Sequence, residues 1–149
     1  MRAVIQRVTE SNVSVDGKVS GSIGAGLVAL LGVEEEDTIK DAEYIAQKIS
    51  GLRIFEDADE KMNLSVKDVD GKILMISQFT LMGDVRKGKR PSFSHAAKPE
   101  IANKLYKETI SLVKKEGILV EEGVFQADML VKIYNDGPVT ILLDSKKTF

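Results

Sequence analysis

Only two stretches of this chain space their apolar residues for a helix, and the other apolar runs read as strands. In the first, residues 37–50, Ile39, Ala42, Ile45, Ala46 and Ile49 recur at helical intervals, with Asp37 or Thr38 as N-cap and Gly51 just past the end. In the second, Pro99 opens the helix and Ile101, Ala102, Leu105, Tyr106, Leu112 and Val113 form its apolar stripe up to Gly117. Residues 2–8 alternate instead, with Ala3, Ile5 and Arg7 on one side and Val4, Gln6 and Val8 on the other, so Arg7 points with an apolar set. Val13 and Val15 lead into Asp16-Gly17, a hairpin signal, and residues 19–23 return as a strand. GAGLVALLGV and KILMISQFTL read as buried strands, Leu52 to Phe55 as a short one, and residues 56–71 as loop with a turn at Asp70-Gly71. Residues 127–134 alternate, and residues 139–143 follow Gly137-Pro138 as a last strand. Many strands with two helices, several joined by hairpins, do not make the regular alternation of a doubly wound sheet. The expected fold is α/β: mixed, largely antiparallel β-sheets in barrel-like layers, covered by two main helices, with residues 1–149 as a single domain.

A chain of 149 residues, 43% of them hydrophobic, can bury a core without crosslinks or metals. The absence of cysteine excludes disulfides, thiolate metal sites and a cysteine nucleophile. His95 is the sole histidine, so one chain cannot assemble an imidazole metal cluster, and the residue reads as a surface loop histidine. No G-x-S-x-G elbow accompanies it. The N-terminal MRAVIQRV lacks the apolar core of a signal peptide, and LVALLGV is cut short by an acidic run far below the roughly 20 residues that span a bilayer. A cytoplasmic protein without a membrane partner is expected. The formal net charge of −2 argues against a large phosphate footprint, so any nucleic-acid contact should be local. The one dense basic stretch runs from Arg86 to Arg90, and Lys87, Lys89 and Arg90 are candidates there for phosphate contact or for a merely solvated face.

Two familiar motifs fail on inspection. Residues 24–29, GAGLVA, match a dinucleotide fingerprint, but no helix follows at once; the run stops at Gly32 before Glu34. Asp57-x-Asp59-x-Lys61 begins like a calcium loop, yet sets lysine where an oxygen ligand belongs and Met62 where glycine is needed. Two other segments survive. In Ser77-Gln78-Phe79-Thr80-Leu81 an apolar strand ends in hydroxyls, a carboxamide and an aromatic. Such residues either terminate the strand or line a polar pocket in which freed backbone N–H groups form an oxyanion hole. In Asn135-Asp136-Gly137-Pro138-Val139-Thr140, the Gly-Pro pair is either a connector between two strands or an element that fixes two carbonyls in direction.

SQFTL at 77–81 together with NDGPVT at 135–140 resembles the paired signature of the D-aminoacyl-tRNA deacylases, whose second motif is N-x-G-P-x-T. MRAVIQRV, GLRIFED, KMNLSV and RKGKRPSF resemble that family too, so the likeness covers nearly the whole chain. The resemblance implies a homodimer that hydrolyses, without metal or cofactor, the ester joining a D-amino acid to the terminal adenosine of tRNA. It implies a cis Gly137-Pro138 that enters the partner's active site and excludes L-side chains, with Arg7 holding that element. Glycine presents hydrogen on both sides, so glycyl-tRNA should pass the same filter. Ser77, Gln78, Phe79 and Thr80 become the catalytic pocket, with main-chain groups of Phe79 and Thr80 at the scissile carbonyl, and Lys87, Lys89 and Arg90 the tRNA contact. The rival reading is a dimeric module that holds RNA ends without chemistry.

Overall fold

The structure, a computed structural model, describes residues 1–149. Its first strand, β1 (Arg2–Val15), organises the rest. One edge of β1 is bonded antiparallel to β3 (Gly26–Gly32) over Arg2–Val8 and to β2 (Lys18–Ile23) over Ser11–Val15. The turn into β2 takes positive φ at Asp16 and Gly17, as a tight hairpin demands. The other edge of β1 carries β8 (Leu130–Asp144), also antiparallel.

From β3 the chain crosses through α1 (Ile39–Gly51) and a small hairpin, β4 (Phe55–Glu56) with β5 (Met62–Leu64), to β6 (Lys72–Ser77). β6 lies parallel to β3, and a second crossover through α2 (Pro99–Lys115) lays β7 (Val120–Glu122) parallel to β6. Three ladders of this six-stranded sheet are therefore antiparallel and two parallel, as a mixed fold with two helices requires.

The sheet curls until β2 meets β6 and β7 almost edge to edge. A Cβ on Gly21 would stand 2.8 Å from the Glu122 carbonyl oxygen and 3.1 Å from Leu74 Cδ1, so the barrel closes only because residue 21 has no side chain. At the start of β3, a Cβ on Gly26 would stand 1.9 Å from the Lys72 carbonyl oxygen. Inside the barrel lie Val8, Val13, Ile23, Val28, Leu74 and Ile76. The opposite sheet face, with Ala3, Ile5, Leu27, Ala29, Ile73 and Met75, packs on the buried stripes of α1 and α2. A bulge at Thr9 lets both cores draw on β1: two residues of β1 pass one of β8, and the inward set changes from even numbers at Val8 to odd at Val13.

Several boundaries differ from expectation. Gly51 belongs to α1, and Leu52 caps it through an N–H bond to the Lys48 carbonyl. The short strand after α1 is Phe55–Glu56 rather than 52–55, paired with a β5 inside the stretch expected as loop. β6 stops at Ser77, and Phe79–Met82 form a single 3-10 turn instead of extending the strand. The two strands expected at 127–134 and 139–143 are one, starting at Leu130, and Gly137-Pro138 does not connect two strands. Both halves of β8 pair with the same β1, so the segment is an outward bulge within one continuous strand.

Candidate active site

The candidate residues Ser77–Thr80 lie at the end of β6. Ile76 is buried, and its neighbour Ser77 pairs with Leu31 of β3. The Gln78 N–H then donates to the Leu31 carbonyl at 2.8 Å, the last rung before the chain turns. That turn fits against β3 because residue 32 is glycine; a Cβ there would lie within 3.0 Å of the Gln78 carbonyl oxygen and Leu81 Cβ. The turn's own first bond runs from Leu81 N–H to the Gln78 carbonyl at 3.2 Å, so the N–H groups of Phe79 and Thr80 stand ahead of it, like the first donors of any helix. Such donors at a strand end are what a developing oxyanion needs. Gln78 Nε2 donates to Thr80 Oγ1, which occupies one lone pair of that hydroxyl.

These residues open onto a cleft of about 960 Å³. Its walls bring in groups that sequence reasoning did not assign: Phe93, the first turn of α2 at Lys98 and Pro99, and Phe125 with Met129 on the approach to β8. Phe93 meets Phe79 edge-on at 5.1 Å between ring centroids. Phe93 and Phe125 are aromatics isolated in polar loops, a pattern that could have marked them. Nothing local in sequence says that residues 79, 93 and 125 share one cleft. No three His, Cys, Asp or Glu side chains gather where they could hold a metal ion, and His95 is exposed in the loop before α2.

The other segment expected at the site, Gly137-Pro138, does not line this cleft. Its peptide bond is cis. On β1, Gln6 pairs with Thr140 and Val8 with Asn135, so the four residues 136–139 stand opposite Arg7 alone. Arg7 is buried with Ala3 and Ile5, and it donates from Nη1 to the Ile54 carbonyl at 2.8 Å. Its Nε faces Asp136 Oδ2 at 3.1 Å as an ion pair without hydrogen-bond alignment, and Glu56 approaches Nη2 at 3.9 Å. Asn135 Nδ2 donates to the carbonyls of Arg7 (3.0 Å) and Val139 (2.9 Å).

The basic loop is a third, separate element. Arg86 is tied to Asp84 by Nε and Nη2 at 2.9 and 2.6 Å, whose hydrogen bonds and charge hold the Asp84 carboxyl well below the ordinary range. Lys87, Lys89 and Arg90 are exposed and make no ion pair.

A family model described as D-Tyr-tRNA(Tyr) deacylase matches residues 4–144. A D-aminoacyl-tRNA deacylase of Koribacter versatilis (strain Ellin345) is 60% identical over 149 residues, the whole of both chains. One of Fervidobacterium nodosum is likewise 60% identical over the full length. Among solved structures, a c-Myc DNA Unwinding Element Binding Protein superposes with a TM-score of 0.92 at 44% identity, covering 97% of this chain and 98% of the other. A probable eukaryotic D-amino acid tRNA deacylase, 17% identical, shares the fold with a TM-score of 0.80 over 95% and 97% of the two chains.

Proposed function

The chain belongs to the D-Tyr-tRNA(Tyr) deacylase family and is a D-aminoacyl-tRNA deacylase; from that premise we propose that it discriminates by excluding L-side chains. The observation that carries this reading is the separation of its two motifs. Ser77–Thr80 edge the cleft, while Gly137-Pro138 lies elsewhere on the same chain, in the bulge of β8 opposite Arg7. A second copy supplies the missing half. The free edge of β8 supports such a pairing, because it is long, unpaired and carries exposed Leu130, Tyr134 and Leu142.

In the assembled site the ester carbonyl faces the N–H groups of Phe79 and Thr80. Water attacks the carbonyl carbon, and negative charge collects on the oxygen those donors face. The bond from that carbon to the ribose 3′-oxygen then breaks, and the neighbouring 2′-hydroxyl of the substrate relays the proton to the leaving oxygen. Free D-amino acid and tRNA result. Thr80 is not the nucleophile in this scheme: its oxygen accepts a bond from Gln78, and no base adjoins it. The partner's Gly-Pro carbonyls stand against the substrate α-carbon, where hydrogen fits and an L-side chain does not. Glycyl-tRNA passes the same filter, since it presents only hydrogen. Lys87, Lys89 and Arg90 meet tRNA phosphates, and no metal or cofactor takes part. An RNA-end-binding module without chemistry is the reading that family membership displaces.

The test is hydrolysis of D-, L- and glycyl-tRNA side by side, with subunit mixing. A cleft variant and a Gly137 variant, each inactive or unselective alone, should regain D-selective turnover when mixed. Failure to complement while both remain folded would remove the cross-subunit site, and rapid cleavage of L-esters beside inert glycyl-tRNA would remove the filter.

A further inference from the structure

We infer that Asn135 is a positioning residue for stereochemical selection, acting through the Gly137-Pro138 bulge that it closes; this rests on the filter reading above. The bulge has an unusual construction problem. Four residues, 136–139, leave the ladder opposite the single residue Arg7, so the regular bonds that would fix their direction are interrupted. Arg7 holds one side of the excursion by charge, through Asp136, a carboxylate that is 46% exposed and therefore open to screening by salt. A neutral, partly buried tie does the rest.

Asn135 sits at the entrance of the bulge, paired to Val8, and its carboxamide nitrogen has two protons to give. It gives one to the Arg7 carbonyl across the strands and the other to the Val139 carbonyl at the bulge's exit. The two ends of residues 136–139 are thus tied to each other and to the strand residue they face. Gln6 closes the far side, donating from Nε2 to Thr140 Oγ1 at 3.2 Å. With both ends pinned, the carbonyls of Gly137 and Pro138 have one direction. Release of the Asn135 tie leaves the chain folded but lets that direction drift, so L-side chains gain entry.

Chemistry makes the inference sharp, because both partners of Asn135 are acceptors. Asn135→Asp keeps the shape and replaces both donor protons with lone pairs aimed at two carbonyl oxygens; Asn135→Ser removes the reach altogether. Both variants should lower the ratio of D- to L-ester kcat/KM by at least about tenfold, the scale set by two neutral hydrogen bonds. The ratio should fall chiefly through faster L-ester cleavage, while the thermal midpoint tracks ordinary bond loss. A D-to-L ratio at the wild-type value in either folded variant overturns the inference, and so does a loss of D-ester activity in proportion to lost stability with selectivity intact. Gly137→Ala, measured in parallel, separates the two levels. If it leaves the ratio unchanged, the filter reading fails. If it collapses the ratio while the Asn135 variants keep theirs, only the role of Asn135 fails.

Discussion

Arg7 Nε and Asp136 Oδ2 stand 3.1 Å apart, a pair in which the guanidinium is buried and the carboxylate half-exposed. The cation, not the anion, bears the burial, and its fixed bond is to the Ile54 carbonyl at 2.8 Å. Arg7→Lys keeps the charge but cannot reach Ile54, Asp136 and Glu56 together. It should lower stability by about 1.5–3 kcal/mol, the range for hydrogen bonds to charged groups, as denaturant titration would measure. It should also reduce D-over-L selectivity more than D-ester turnover. Equal loss of both would make Arg7 a purely structural residue.

Thr80→Ala should retain D-ester hydrolysis within about tenfold of wild type, because the backbone donor survives the substitution. A substrate ending in 2′-deoxyadenosine should react far more slowly with either protein. Trapping an acyl-enzyme on Thr80, or full activity on the deoxy substrate, would overturn the substrate-assisted scheme.

Replacing Lys87, Lys89 and Arg90 with alanine should raise KM for full-length tRNA and flatten its salt dependence, since each lost phosphate contact removes a released counterion. Cleavage of a D-aminoacyl-adenosine fragment should stay unchanged. Binding of whole tRNA at low salt with wild-type affinity would show the loop to be a solvated face.

Asp41 joins the start of α1 to the C-terminal segment. Burial works to raise its pKa, but bonds from the Ser145 hydroxyl, the Thr38 N–H and Lys146 outweigh it and lower the value from 3.8 to about 2. A depressed folded pKa means stabilisation that is complete above the unfolded value and lost as pH falls through the folded one. Between pH 4 and about 2 the wild type should therefore lose roughly 1–2 kcal/mol on this account, after allowance for screening. Asp41→Asn should be less stable at neutral pH and flatter through that window in denaturant melts. Parallel acid profiles for the two proteins would assign the acid sensitivity to other groups.

Sequence periodicity made the helices, the Asp16-Gly17 hairpin and the face of Arg7 readable, because each depends on neighbours a few residues apart. The strand end at Ser77 was less readable. Leu81 and Met82 look like a continuing strand, and only contact with Gly32, far away in sequence, shows why the chain turns there. Gly137-Pro138 was readable as something that needed a reason, yet a turn and a bulge use the same residues. What decides between them is that one long partner, β1, bonds on both sides. β7 went unseen because three residues in a parallel pairing carry no alternation. Phe93, Phe125 and Met129 line the cleft only because loops remote in sequence converge on the end of β6.

Gly26 and Ser77 lie at opposite ends of the same strand pair, since Gly26 faces Lys72 and Leu31 faces Ser77, about 17 Å apart at the rise of a strand. At Gly26 the neighbouring carbonyl already occupies the space of a side chain, so variation is forbidden at a residue that does not line the cleft. Around Ser77, on the proposed reading, variation is limited by chemistry instead. A survey of random variants scored on hydrolysis alone would rank the two positions together and place the active site at both ends of the sheet. Dividing each score by the amount of folded protein would return Gly26 to wild-type activity per molecule in whatever fraction still folds, and leave Ser77 where it was.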